Sequence, residues 1–346
     1  MSLENFNPND VGVDNGNYFG LPYTPEEANI LMVSIPWDVT TSYKPGTANG
    51  PEAILAASTQ LDMFDFDVND AWKIGHGTVP MDESIKERSV KYRAIAAQVI
   101  EHLENGGELS DIEIQENLRE VNTACEQLKQ EVKATCASWL EKGKKIALVG
   151  GEHSVPLGYL EALAERHPQF GILQIDAHAD LRDAYEGFTY SHASIMYNAL
   201  KIKQVTKLVQ VGIRDICQDE VDLARRDSRI SLFDDYSLKY NSFEGLTWAE
   251  QCQRIIQTLP EKVYISFDID GLTPEHSPNT GTPVAGGLTF HQAIYLFKKL
   301  VESGREIIGC DVNEVAPDAH SEWDANVGAR VLFKLTNLMA LSTPRP

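Results

Sequence analysis

Residues 170–180 read FGILQIDAHAD, an apolar run that passes without a break into a cluster of carboxylate and imidazole side chains. Five similar runs accompany it: NILMVSI at 29–35, KIALVGG at 145–151, KLVQVGI at 207–213, KVYISFDID at 262–270 and EIIGCDV at 306–312. Helical patterns lie between them. Strands that are apolar on both faces and separated by amphipathic helices are what a parallel sheet covered on both sides requires. The reading is therefore an α/β fold around a central, mainly parallel sheet. Ligands of such sheets bind beyond the carboxyl ends of the strands, so chemistry is expected in the polar residues that follow each run.

The chain has 346 residues, enough for one large α/β domain. We expect a single catalytic domain over 29–346, preceded by an N-terminal segment, 1–28, and interrupted by a helical insertion at about 82–142. Within that insertion Ile114, Leu118, Val121, Cys125, Leu128, Val132, Thr135 and Trp139 alternate at spacings of four and three. That stripe predicts one long helix over 111–141, opened by a Ser110/Glu113 capping box and closed at Gly143. Packing on the outer layer of the sheet is a better account of the stripe than a coiled-coil partner. Residues 321–338 read as a loop leading into a closing amphipathic helix.

Acidic residues outnumber basic ones 51 to 30, a formal charge of −21. Such a field repels phosphate backbones and anionic lipid, so neither nucleic acid nor a membrane surface is an expected partner. No stretch approaches the roughly 20 apolar residues of a membrane span, and the start of the chain lacks the apolar core of a signal peptide. The five cysteines include no CxxC pair and read as reduced thiols. These features place the protein in the cytoplasm.

Asp176, His178 and Asp180 stand at i, i+2 and i+4, and share one side of an extended chain. A second strand end supplies Asp268 and Asp270, and a third Glu152 and His153. Four aspartates gathered without compensation would repel one another. Two divalent ions carry +4 and cancel the charge of Asp176, Asp180, Asp268 and Asp270, so the count points to a dinuclear site. One histidine per ion with mainly oxygen donors favours Mn²⁺, while the affinity order keeps Ni²⁺ in play.

The blocks GGEHS (150–154), DAHADLRDAYEGFTYSHAS (176–194), SFDIDGLTP (266–274), GTPVAGGLT (281–289) and NEVAP (313–317) resemble the signatures of the ureohydrolases. PWDVTTSYKPGTANGPEAI at 36–54 is similar to the amino-terminal motif of that family, which includes arginases and agmatinases. The resemblance implies a three-layer α/β/α fold, two Mn²⁺ ions bridged by a hydroxide, and a homo-oligomer, trimeric or hexameric. It assigns His153, Asp176, Asp180 and Asp268 to one ion, and Asp176, His178, Asp268 and Asp270 to the other. It makes His192 the proton shuttle and Glu314 the acceptor of the substrate guanidinium, so both are expected to touch substrate. Two departures are visible: Glu152 stands where the family usually has Asp, and Thr273-Pro274 where it usually has Asp-Pro.

The implied activity is hydrolysis of a small guanidino compound to urea and an amine. EGFTYSHAS lacks the SGN-type stretch with which arginases grip an α-carboxylate, and Cys217 stands where they carry an acid for the α-amino group. Agmatine is thus the first expectation. Guanidine, with nickel, is the alternative, in a pocket closed by Phe188, Tyr190 and Trp323; arginase and formimidoylglutamase activities stand behind these. Arg182 is expected to pair with Asp183. A non-enzymatic, metal-dependent binding protein on the same fold would have no need of His192 and Glu314.

Overall fold

The structure, a computed structural model, describes residues 6–343. Eight strands form one sheet: β1 (Ile30–Ile35), β2 (His76–Thr78), β3 (Lys145–Gly150), β4 (Phe170–Ile175), β5 (Val205–Val211), β6 (Ile230–Phe233), β7 (Lys262–Asp268) and β8 (Glu306–Asn313). Their order is β2-β1-β3-β8-β7-β4-β5-β6, and every pairing is parallel. The six apolar runs of the sequence are six of these strands. The two it did not flag, β2 and β6, are short and lie at the sheet's two edges, where a strand needs least apolar residue of its own.

Strand residues alternate between two cores, as a period of two demands. Val263, Ile265 and Phe267 of β7 join one apolar cluster and Tyr264 the other. Helices Gly50–Ser58, Trp248–Gln257, Phe290–Glu302 and Trp323–Leu341 cover the first face; Glu83–Glu104, Ile112–Glu141, Leu157–Ala164 and Ile195–Ala199 cover the second. The architecture is the expected α/β/α sandwich. Residues before β1 join it, because Tyr18, Phe19 and Leu21 are buried in the first core and the Tyr18 hydroxyl reaches Ser34 (2.9 Å) and donates to the Pro51 carbonyl (3.0 Å).

The long helix spans Ile112–Glu141 and buries Ile114, Leu118, Val121, Cys125, Leu128 and Val132 as the stripe foretold. Its last turns bury Cys136 and Leu140 in place of Thr135 and Trp139. A stripe of period 3.5 drifts around a straight helix of period 3.6, which accounts for the one-residue offset. The stripe packs inside this chain, within the second core. The predicted capping box does not form. Asp111 occupies the cap position, its carboxylate lies 2.8 Å from His102 Nε2, and the Ser110 hydroxyl donates to Glu108 instead. Gly143 takes a positive φ of 76° and ends the helix as expected.

No helix among the described residues is long and apolar enough to cross a membrane.

Candidate metal centre

Sheet order decides which side chains meet. Because β3, β8, β7 and β4 are consecutive and parallel, their carboxyl ends form one edge. That edge brings together His153 after β3, Glu314 after β8, Asp268 and Asp270 at the end of β7, and Asp176, His178 and Asp180 after β4. Asp180 and Glu314 have positive φ angles of 54° and 63°. For residues with a Cβ this is a costly conformation, of the kind that concentrates at functional sites.

His153 Nδ1 lies 3.0 Å from Asp176 Oδ2, 3.1 Å from Asp180 Oδ2 and 3.4 Å from Asp268 Oδ2. His178 Nδ1 lies 3.1 Å from Asp270 Oδ2 and 3.7 Å from Asp176 Oδ1. Two ligand groups result, His153/Asp176/Asp268 and Asp176/His178/Asp270, and Asp176 belongs to both. Asp180 joins the first through His153. All six expected ligands therefore meet at one place.

The electrostatics of this cluster call for cations. Burial would push the Asp176 carboxyl up, but His153 and His178 beside it hold it well below the usual carboxylate range. Burial and the neighbouring Asp270 and Asp176 drive Asp268 well above that range, and burial with Asp176 pushes Asp180 up to about 7. Burial would lower both imidazoles, yet the surrounding carboxylates outweigh it and hold His153 well above its ordinary value and His178 at about 12. The bare cluster thus balances its charge with borrowed protons. His153 Nδ1 is buried and faces three carboxylates, the environment of a metal ligand.

A layer of polar side chains on the strands orients the ligands. Ser266 Oγ donates to Asp311 Oδ1 (3.2 Å) and lies 2.8 Å from His153 Nε2. With its proton committed to the carboxylate, the serine accepts from Nε2–H, which makes Nδ1 the nitrogen that would offer its lone pair to a bound ion. Gln174 donates to Asp176 Oδ2 (2.8 Å) and is itself held by Gln210 (2.7 Å). Sequence reasoning missed Ser266, Gln174 and Gln210. The signal was present: each is a polar residue inside an otherwise apolar strand and must find a buried partner.

His192 lies in the loop after β4, and its backbone N–H donates to Thr40 Oγ1 (3.0 Å). Burial, reinforced by His178, lowers its pKa to about 3, so the ring is neutral at neutral pH. Glu314 Oε1 accepts from His153 N–H (2.8 Å), which leaves Oε2 without a hydrogen-bond partner among the described residues. Burial and the nearby Glu152 drive its carboxyl well above the usual range, a state that an arriving guanidinium would relieve.

A cavity of about 160 Å³ opens over the cluster, lined in part by Ser42, His178, Asp180, Tyr185, His192 and Asp215. The aromatic residues expected to close it do not line it. Phe188 is buried in the second core, Tyr190 hydrogen-bonds Glu126, and Trp323 is half-exposed with its indole N–H on the Glu275 carbonyl (2.7 Å). Tyr185 is the aromatic residue at the mouth, and the Arg182 guanidinium lies over its ring at 4.6 Å. Arg182 is paired with Glu220 (3.8 Å), not with Asp183. Of the two departures from the family pattern, Thr273 bonds His276 (2.8 Å) away from the ligands, while Glu152 is buried against Thr40.

The sequence profile of the arginase family matches residues 28–337. A Thermus thermophilus protein named N(1)-aminopropylagmatine ureohydrolase is 33% identical over 93% of this chain and 94% of its own. A Bacillus subtilis protein named agmatinase is 28% identical over 90% of this chain and 91% of its own. The crystal structure of a hypothetical agmatinase from Burkholderia thailandensis superposes with a TM-score of 0.71 at 25% identity, covering 96% of this chain and 92% of that one.

Proposed function

The chain belongs to the arginase family, and on that premise we propose that it is a metal-dependent ureohydrolase, converting a guanidino compound and water to urea and an amine, with agmatine as substrate and putrescine as the amine. The observation that carries this reading is the convergence of His153, Asp176, His178, Asp180, Asp268 and Asp270 on one sheet edge, with His192 and Glu314 beside them. Two Mn²⁺ ions at the two ligand groups, a homo-oligomer of three or six copies and a cytoplasmic location belong to the same reading. The charge of −21 supports a small-molecule partner over nucleic acid.

When bound, two divalent ions supply a water whose proton is lost near neutral pH and neutralise charge that develops during attack. The protein does the rest. Glu314 takes the guanidinium N–H groups and turns the central carbon toward the ligand cluster. His192, a neutral base, takes up a proton and hands it to the leaving nitrogen, so that the amine departs as ammonium and the carbonyl of urea forms. Such a role contributes about 10² to 10⁴ in rate.

A longer substrate, N(1)-aminopropylagmatine, is the second reading, favoured by the relative that bears its name. A neighbouring cavity of about 410 Å³ shares Arg182, Tyr185 and Glu220 with the first and adds Asp183, Glu186, Cys217, Asp219 and Arg226, so that four carboxylates against two guanidinium groups favour a cationic tail. Guanidine loses ground because Phe188, Tyr190 and Trp323 do not shut the pocket. The test is a urea-release panel of agmatine, N(1)-aminopropylagmatine, guanidine, 4-guanidinobutyrate and arginine, run separately with Mn²⁺ and Ni²⁺. Arginine turning over best overturns the substrate assignment. No urea from any of them overturns the enzymatic reading and favours a metal-dependent binding protein.

A further inference from the structure

Resting on the ureohydrolase reading above, we infer that Glu152 is a positioning residue for His192 and acts through Thr40. The three residues come from loops far apart in the chain: Thr40 follows β1, Glu152 follows β3 and His192 follows β4. The first two loops are pinned together by backbone. Glu152 N donates to the Trp37 carbonyl (2.8 Å) and Gly151 N to that of Ile35 (3.0 Å). Only glycine fits at 151, where a Cβ would fall 2.0 Å from the Trp37 oxygen.

Glu152 then uses both carboxylate oxygens. Oε2 accepts from Thr40 N–H (2.6 Å), and Oε1 accepts from the hydroxyls of Thr40 (2.9 Å) and Ser154 (2.5 Å). A threonine hydroxyl has one proton. Because a carboxylate claims it, the oxygen turns its lone pairs elsewhere, and the His192 N–H meets them at 3.0 Å. This is the short polar contact of His192. Among the described residues its ring reaches only Ser42 Oγ at 3.5 Å and Ser191 Oγ at 3.4 Å. The backbone anchor therefore sets where the imidazole sits over the cluster.

The chain length of the acid matters. An aspartate at 152 would withdraw the carboxylate by about one carbon–carbon bond, ~1.5 Å, and forfeit the Thr40 hydroxyl. Glu152 and Thr40 form one device.

The experiment compares Thr40→Val, Thr40→Ser and Glu152→Asp with the wild type, and adds Thr40→Val to His192→Asn. Thr40→Val should lower kcat by about tenfold or more, with KM and metal content little changed, because the base is displaced and the ligands are not. Thr40→Ser, which keeps the hydroxyl, should stay within about threefold, and Glu152→Asp should follow Thr40→Val. In the His192→Asn background, Thr40→Val should cost less than about twofold, since the two changes act through one group. Equal losses in both backgrounds, or wild-type kcat in Thr40→Val, overturn the inference. Hydrogen exchange at the His192 amide reads the contact without turnover: it should be slow in the wild type and Thr40→Ser and fast in Thr40→Val. If the wild type releases no urea the functional reading fails, and unaltered exchange in Thr40→Val separately refutes the link.

Discussion

His153 Nδ1 stands 3.0 Å from Asp176 Oδ2 with both residues buried, while the opposite ring nitrogen of His153 is held by Ser266. The imidazole is thus fixed at both ends, and the aspartate is shared with a second histidine, His178, through its other oxygen.

Because Asp176 belongs to both ligand groups, its loss should empty both. Elemental analysis of the purified protein should find close to two divalent ions per chain, and Asp176→Ala should retain few of either. Asp180→Ala, which touches the first group alone, should be the milder change. A fully occupied Asp176→Ala protein would contradict the sharing.

Ser266→Ala removes the acceptor that fixes the His153 tautomer and the hydroxyl that donates to Asp311 Oδ1. Metal affinity should fall about 10- to 100-fold, as it does for other ligand-orienting partners, with little change in secondary structure. Competition with a graded chelator measures this, and an unshifted curve would show that the ring needs no such support.

His192→Asn should slow turnover of every active substrate by about 10² to 10⁴ while the metal content stays at its wild-type value. Single-turnover urea release alongside elemental analysis separates the two effects. Unchanged turnover would remove His192 from the proton path.

His76 gives a pH dependence outside the site. Its ring is fully buried beside Phe19 and Phe333, neither nitrogen has a hydrogen-bond partner among the described residues, and burial lowers its pKa to about 3. In the unfolded chain it titrates near 6.5. Between these values the unfolded state binds the extra proton, so the contribution is complete above about pH 6.5 and is lost as the pH falls toward 3, at about 1.4 kcal/mol per unit. Urea melts of the wild type and His76→Leu should therefore diverge by about 1 kcal/mol in favour of the variant between pH 7.5 and 5.5. Parallel curves would mean that the ring is charged or solvated in the folded protein.

Much of the site was legible because metal ligation imposes residue types that have no other reason to cluster. Carboxylates and imidazoles directly after buried strands must be paired, and the spacing of DAHAD and DID leaves few alternatives. The pocket wall was less legible. Phe188, Tyr190 and Trp323 are aromatic and close in sequence to site motifs, yet an aromatic ring is equally suited to a core, and two of the three are bound to Glu126 and Glu275 instead. Tyr185 does line the mouth, and nothing in its local pattern distinguished it.

The sequence by itself determined the class of fold, the long helix and the residue types of the candidate metal cluster, because hydrophobic periodicity and charge compensation are local demands that a strand or helix satisfies wherever it is placed. Strand order was decided by the tertiary structure, since pairing β3 beside β8 and β7 beside β4 joins segments far apart in the chain (Ala147 with Cys310, Gly171 with Val263) and leaves no short-range trace. The same holds for the Glu152–Thr40–His192 chain and the Arg182–Glu220 pair. Hydrogen bonds and ion pairs are directional and short, so their partners are fixed only once packing has set which loops come within about 3 Å of one another.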